Sequence, residues 1–314
     1  MKKCKNTFAL LALFGAFGFA MPALAAPIEA AKDDAPVAAT EEDEASWEFG
    51  AAFGLDYCSK QLTYGLVDNP HGILTPSVEL SYGHDDYFTL AVGAEAIFDT
   101  TNYGKKDGGY NDRRYKYQEL ALGLTLSKVW KTEDVIGSNL ETAINYTYEY
   151  HPKSCKKPAQ EWSNPNTQWL NFEISAGDYW LVPTFALEYN LDDQQDSKGA
   201  IYATFDLSHE FDLSEMVGCE EGFMTLTPVV GFGMGNKERN KADFGDWYEE
   251  HNSSVDNFML RDGYASLELA ISPFDGFTVA PYIGCHQQLD SNAKDATGSD
   301  DFVAYFGIGI GYEI

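Results

Sequence analysis

Fourteen carboxylates stand inside the stretches of two-residue alternation that run through most of this 314-residue chain. They are Glu48, Asp56, Glu79, Glu95, Glu119, Glu141, Glu149, Glu173, Glu188, Asp206, Glu210, Asp212, Glu268 and Glu313. All fall on the polar phase, whereas random placement would leave about half on each, since successive strand side chains point to opposite faces. Five of them, Glu79, Glu95, Glu173, Asp206 and Glu268, fall near the middle of their stretches. Carboxylates around an enclosed passage attract cations and repel anions, and hardly a Lys or Arg shares their phase to neutralise them. The competing expectation is a packed polar interior in which Tyr202, Thr204, Tyr282 and His286 bond these acids.

Other chemistries find less support. A nucleophile needs an adjacent base. Of His71, His84, His151, His209, His251 and His286, only His209 and His286 fall within alternating stretches. Ser208-His209-Glu210 cannot form one site, because neighbours on a strand face opposite ways. No catalytic residue is expected. Cys58, Cys155, Cys219 and Cys285 lie beyond the N-terminal leader. Cys219 falls in a turn away from the others, while a Cys58–Cys155 bridge, a Cys155–Cys285 bridge and four free thiols all remain open. CxxC spacing for zinc is absent. The acidic runs Asp192-Asp193-Gln194-Gln195-Asp196 and Asp300-Asp301 lack the spaced ligands and central glycine of a calcium loop. No metal or cofactor is expected. The formal charge of −28 becomes −31 once Lys2, Lys3 and Lys5 leave with the leader. Such a charge excludes nucleic acid as a natural partner.

The elements that position these residues follow from patterning. Residues 1–25 have the order of a secretory signal peptide: lysines, the apolar run 8–20, and Ala23-Leu24-Ala25 as a small-x-small cleavage site. The run is too short to span a membrane comfortably as a helix. Residues 26–46, rich in Ala, Pro and acid, read as a flexible acidic linker. From Trp47 to Ile314 the period becomes two, the strand signal. Twelve apolar rows result, at 47–57, 74–82, 88–98, 120–126, 140–150, 170–174, 179–189, 201–211, 224–234, 267–273, 279–283 and 304–314. Residues 169–189 can alternatively be one long strand with a bulge.

Connections between the rows alternate between short turns, such as Asp275-Gly276, and long polar segments at 102–113, 152–166, 236–257 and 291–301. Short turns on one side and long loops on the other are the plan of an antiparallel outer-membrane barrel. A soluble β-sandwich also alternates. It does not need 13-residue strands or rows of Tyr, Phe and Trp at strand ends, which suit the two interfaces of a bilayer. Lys128 and His209, the polar residues on the apolar phase, lie near strand ends where charge is tolerated. The expected fold is therefore an all-β, up-and-down transmembrane barrel of 12 strands over residues 47–314, with both termini periplasmic.

The C-terminal Gly307-Ile308-Gly309-Ile310-Gly311-Tyr312-Glu313-Ile314 resembles the terminal strand signal of bacterial outer-membrane barrels. Ile314 stands where Phe or Trp is usual. The front half is similar to the TorF-type porins through Asp56-Tyr57, Gly65 and Pro76, with 181–213 following a similar plan. Thr63-Tyr64 stands where that family carries an Arg before the Gly. The resemblance implies a small outer-membrane pore in a diderm bacterium and supplies no catalytic residues.

The expected function is a porin-like channel passing small cationic or neutral solutes, with Glu79, Glu95, Glu173, Asp206 and Glu268 lining its lumen. Its partners would be outer-membrane lipid and lipopolysaccharide. Arg113, Arg114, Lys116, Lys153, Lys156 and Lys157 are placed to meet lipopolysaccharide phosphates or to solubilise the loops. The alternative is a closed barrel whose loops at 102–113, 152–166 and 236–257 serve surface binding or envelope structure. A lipid hydrolase would need an outward Ser–His pair at one height, and none is apparent.

Overall fold

Each alternating stretch gives its strand one apolar and one polar face, and a sheet built from such strands must keep the two apart. The computed structural model describes residues 47–63, 66–84, 87–100, 117–150, 166–192, 197–251, 254–297 and 302–314. Its wall strands are β1 (Glu48–Cys58), β2 (Ile73–Gly83), β3 (Thr89–Asp99), β4 (Tyr117–Trp130), β5 (Leu140–Tyr150) and β6 (Thr167–Ala176). They continue with β7 (Val182–Asn190), β8 (Ile201–Ser208), β9 (Met224–Asn236), β10 (Phe258–Phe274), β11 (Phe277–Gln288) and β12 (Phe302–Glu313). Each pairs antiparallel with its chain neighbours. β1 also pairs with β12, from Ala52↔Glu313 to Cys58↔Gly307, and this seam closes a 12-stranded barrel. Closure gives every wall strand a partner on each side.

The apolar rows face outward. Val92, Leu124 and Ile283 are 48%, 47% and 59% exposed on the outer wall, as hydrocarbon-facing residues of a transmembrane barrel must be. They do not stack against one another in a core, which rules out the sandwich. Lys128 lies over the Trp130 ring at 4.6 Å, and His209 sits against Trp180 and Phe211. β6 and β7 are separate strands: Leu170 pairs with Tyr189 across the turn at 177–181, so 169–189 is not one bulged strand.

Two departures from strict alternation matter. β8 breaks at His209-Glu210, and Phe211–Asp212 then rejoins β9. Asp212 is consequently a turn residue, its carboxylate accepting from Ser214 N and Gly222 N at 2.7 and 3.0 Å. The Ser214 side chain and N–H, with Gly222 N–H, hold this carboxyl below its ordinary range. In β10, Asp262 pairs with Gly233 but Leu260 pairs with Met234, leaving Arg261 as the extra residue of a β-bulge. Arg261 and Asp262 therefore both point inward, each 0% exposed.

Trp47, the first described residue, Ile314 and the turns at 131–139, 177–181, 213–223 and 275–276 share one end of the barrel. The opposite end carries the longer connections. Helix α1 (Glu133–Ile136) lies in the 131–139 turn, whereas residues 61–63 and 66–69 pair as a small hairpin at the loop end, beside α2 (Lys237–Glu250) and α3 (Ser291–Thr297). α2 starts where β9 ends because Asn236 caps it. The Asn236 side-chain oxygen accepts from Arg239 N at 3.0 Å and from Ile201 N at 2.9 Å. Asp290 likewise caps α3 through Asn292 N and Ala293 N. The leader, the linker, the whole 102–113 loop, the 152–166 loop up to residue 165, Cys155 and the six basic loop positions lie outside the described residues.

Candidate functional site

The polar phase of the strands builds the barrel interior. Glu79, Glu95 and Glu268 are buried there, and Glu173 and Asp206 are half-buried. Within this set of five, Glu173 couples to Asp206, and the other acids couple to further carboxylates of the polar phase. Glu95 interacts electrostatically with Asp56 and Glu149, and Glu268 with Asp56 and Glu210. Glu173 interacts with Asp206 and Glu141, while Glu79 faces Glu313. Asp56 is thus the residue that joins Glu95 to Glu268. It lies near the loop end of β1, and counting along one strand does not reveal its neighbours, because tilt and shear set relative height in a barrel.

The hydroxyls expected to absorb the five acids are mostly engaged elsewhere. Tyr282 donates to Asp56 at 3.1 Å, and Tyr202 to Asp262 at 2.9 Å. His286 pairs with Asp262 at 2.6 Å. Of the five, only Asp206 receives a tyrosine, Tyr264. Among the described residues no hydrogen bond or ion pair reaches Glu79, Glu95, Glu173 or Glu268. Further round the wall, Asn145 donates to Thr125 at 2.7 Å, with both side chains buried.

These tyrosines lie along the wall, and glycines make that possible. Tyr202 starts on β8, crosses β9 above Gly233 and reaches Asp262 on β10; Tyr264 crosses β9 in the other direction above Gly231 to Asp206. A Cβ at Gly233 would meet the Tyr202 hydroxyl at 1.9 Å, and one at Gly231 the Tyr264 Cζ at 2.7 Å. Tyr282 does the same over Gly307 of β12 to reach Asp56 on β1. Each ring spans a bare strand and hydrogen-bonds a carboxylate two strands away, so the aromatic bulk is held against the sheet.

At the loop end the interior holds cations that the sequence reading missed. Arg261 donates to Asp243 of α2 at 2.5 Å, and Arg239 of α2 donates to the same carboxylate at 2.9 Å. Arg261 escaped notice because strand ten was expected to begin at Leu267. Nine residues more belong to β10, and the bulge breaks the alternation that would have marked them. Among the described residues Arg261 is thus an inward-facing cation of the wall, against the expectation of an interior nearly free of Lys and Arg. Burial and the Asp256 carboxylate push the Tyr248 hydroxyl of α2 up to about 12.

Cys58, Cys219 and Cys285 are free thiols. Cys58 is buried and Cys219 is exposed in the 213–223 turn. A maleimide is expected to modify Cys219 in the folded barrel and to reach Cys58 only after denaturation, read by mass spectrometry of peptides. Labelling of native Cys58 at the Cys219 rate would contradict this packing. Among the described residues no group of three His, Cys, Asp or Glu is placed to hold a metal ion.

No family profile and no curated protein matches the sequence. Similar solved structures include the KdgM porin, 8% identical with a TM-score of 0.41 over 84% of this chain and 98% of that one. An outer membrane channel from Pseudomonas putida F1 is 9% identical, TM-score 0.45, over 88% of this chain and 100% of that one. LpxR from Salmonella typhimurium is 8% identical, TM-score 0.42, over 83% and 99%. At such identities these likenesses carry no information about solute or chemistry.

Proposed function

We propose that this chain is an outer-membrane porin-like channel through which small cationic or neutral solutes diffuse, related to the TorF-type porins. One observation carries the reading: Glu79, Glu95, Glu173 and Glu268 project into a closed barrel with no cationic or hydrogen-bonding partner among the described residues. Carboxylates so placed favour cations. The tyrosines pressed over glycines favour a passage over a plug, because their rings follow the wall. In this reading residues 1–25 are a cleaved leader, 26–46 a periplasmic linker, and the turn end faces the periplasm. The basic positions from Arg113 to Lys157 then meet lipopolysaccharide outside.

The test is a reversal potential in a salt gradient across a planar bilayer. Wild type is expected to reverse toward the cation's equilibrium potential. Removing one charge that contributes about 1 kcal/mol to a passing cation changes its weight about fivefold. Glu95→Gln with Glu268→Gln is therefore expected to bring the potential close to zero. Anion preference in wild type, or no shift in the double variant, would reject the acidic lumen as the selective element. The helices over the loop end favour a second reading, a closed barrel used for surface binding; absence of conductance together with loop-dependent binding would support it.

A further inference from the structure

Helix α2 follows β9, yet its contacts run far round the barrel. The Arg239 guanidinium lies over the Trp169 ring of β6 at 5.8 Å, three strands away on one side. On the other, Phe244 and Tyr248 pack with Met259 of β10, Ala293 of α3 and Leu66 of the 61–69 hairpin. Trp169, Arg261 and Met259 are buried wall residues at the loop end. A helix that touches β6 at one extreme and the β1–β2 connection at the other lies across the barrel mouth.

What holds it there is the bulge. Strict alternation would turn either Arg261 or Asp262 toward lipid. The extra residue turns both inward, which lets β10 use consecutive side chains for two tasks. Asp262 ties the wall to Tyr202 and His286. Arg261 reaches upward to Asp243 and lies over the Phe244 ring, 4.8 Å from its centroid. Both carboxylate oxygens of Asp243 are occupied, one by each arginine. Fully exposed pairs of this kind contribute little. Here Arg261 is 0% exposed, and losing one partner leaves a buried charge without its counterion.

We infer that α2 is a fixed constriction of the outer mouth and that Arg261 is the positioning residue that clasps it, together setting the size of solute admitted. The effect on passage rests on the channel reading; the clasp does not. Arg261→Met keeps the length of the side chain and removes its charge. Asp243→Asn weakens the same clasp from the helix side, away from the wall, so that barrel folding is preserved. Arg261→Lys is the conservative rescue.

The experiment compares these full-length proteins with wild type in hydrogen exchange of 237–250 amides and in single-channel conductance, folding being checked by heat-modifiable gel mobility. Loss of the clasp is expected to speed α2 exchange about tenfold or more, through local opening, while the wall strands stay protected. Conductance is expected to rise about twofold as the mouth widens, with Arg261→Lys recovering most of both properties. Unchanged α2 exchange in folded Arg261→Met and Asp243→Asn would overturn the clasp. Faster exchange at unchanged conductance would overturn the constriction. No conductance in any of the four proteins would remove the channel reading and the constriction with it, while exchange still judges the clasp.

Discussion

Gly307→Ala is expected to prevent stable closure of the barrel. A Cβ there would stand 2.2 Å from the Tyr282 Cζ and 2.4 Å from the Tyr57 carbonyl oxygen. The ring can swing away only by giving up its bond to Asp56. The carbonyl cannot swing at all, because it belongs to the β1 backbone facing β12. Overpacking costs about 1–3 kcal/mol and more where backbone must move, so a loss of at least about 3 kcal/mol is expected. The urea midpoint of the heat-modifiable band measures it. Gly263→Ala is the control: its nearest neighbour would be Leu289 Cδ1 at an ordinary 3.4 Å, and a change within about 0.5 kcal/mol is expected. Equal midpoints for the two variants would mean that Tyr282 does not lie over this glycine.

The second large effect concerns the outside. Leu124 sits mid-strand in β4, between Val92 of β3 and Tyr146 of β5. Leu124→Arg is expected to lose about 2–4 kcal/mol in a bilayer, the cost of a cation at mid-depth in a barrel's lipid face. The loss should diminish at Leu126→Arg, one outward position nearer the native Lys128, which already lies over Trp130 near the strand's end. The readout is again the unfolding midpoint, now in lipid vesicles. Identical, small losses at both sites would mean that this face does not meet hydrocarbon.

Much of this architecture is written in local pattern. Period two needs only a residue's immediate neighbours, so the twelve rows and the inward phase of Glu79, Glu95 and Glu268 are legible from sequence. The relations between strands are not. Asp56 belongs with Glu95 and Glu268 because three strands are sheared past one another, and no single stretch records that offset. The Arg261 bulge is invisible for a related reason. A bulge changes the phase, so Met259-Leu260-Arg261-Asp262 reads as irregular and falls between the 236–257 loop and the apolar row at 267–273. Tyr202, Tyr282 and His286 are legible as partners for carboxylates, but Tyr282 binds Asp56, toward the end of its strand, and Tyr202 and His286 bind Asp262, which lies outside the expected row at 267–273.

The junction of first and last strands has a consequence for traffic. Wherever two barrel strands are held by backbone bonds alone, they can unzip sideways, and a greasy molecule inside could leave through the gap into the surrounding lipid. Here Tyr282 bridges from β11 over β12 to Asp56 on β1, linking residues 226 positions apart in the chain. That strap must break before the first and last strands can separate. Lateral opening is therefore opposed at the seam where the chain's first and last strands meet.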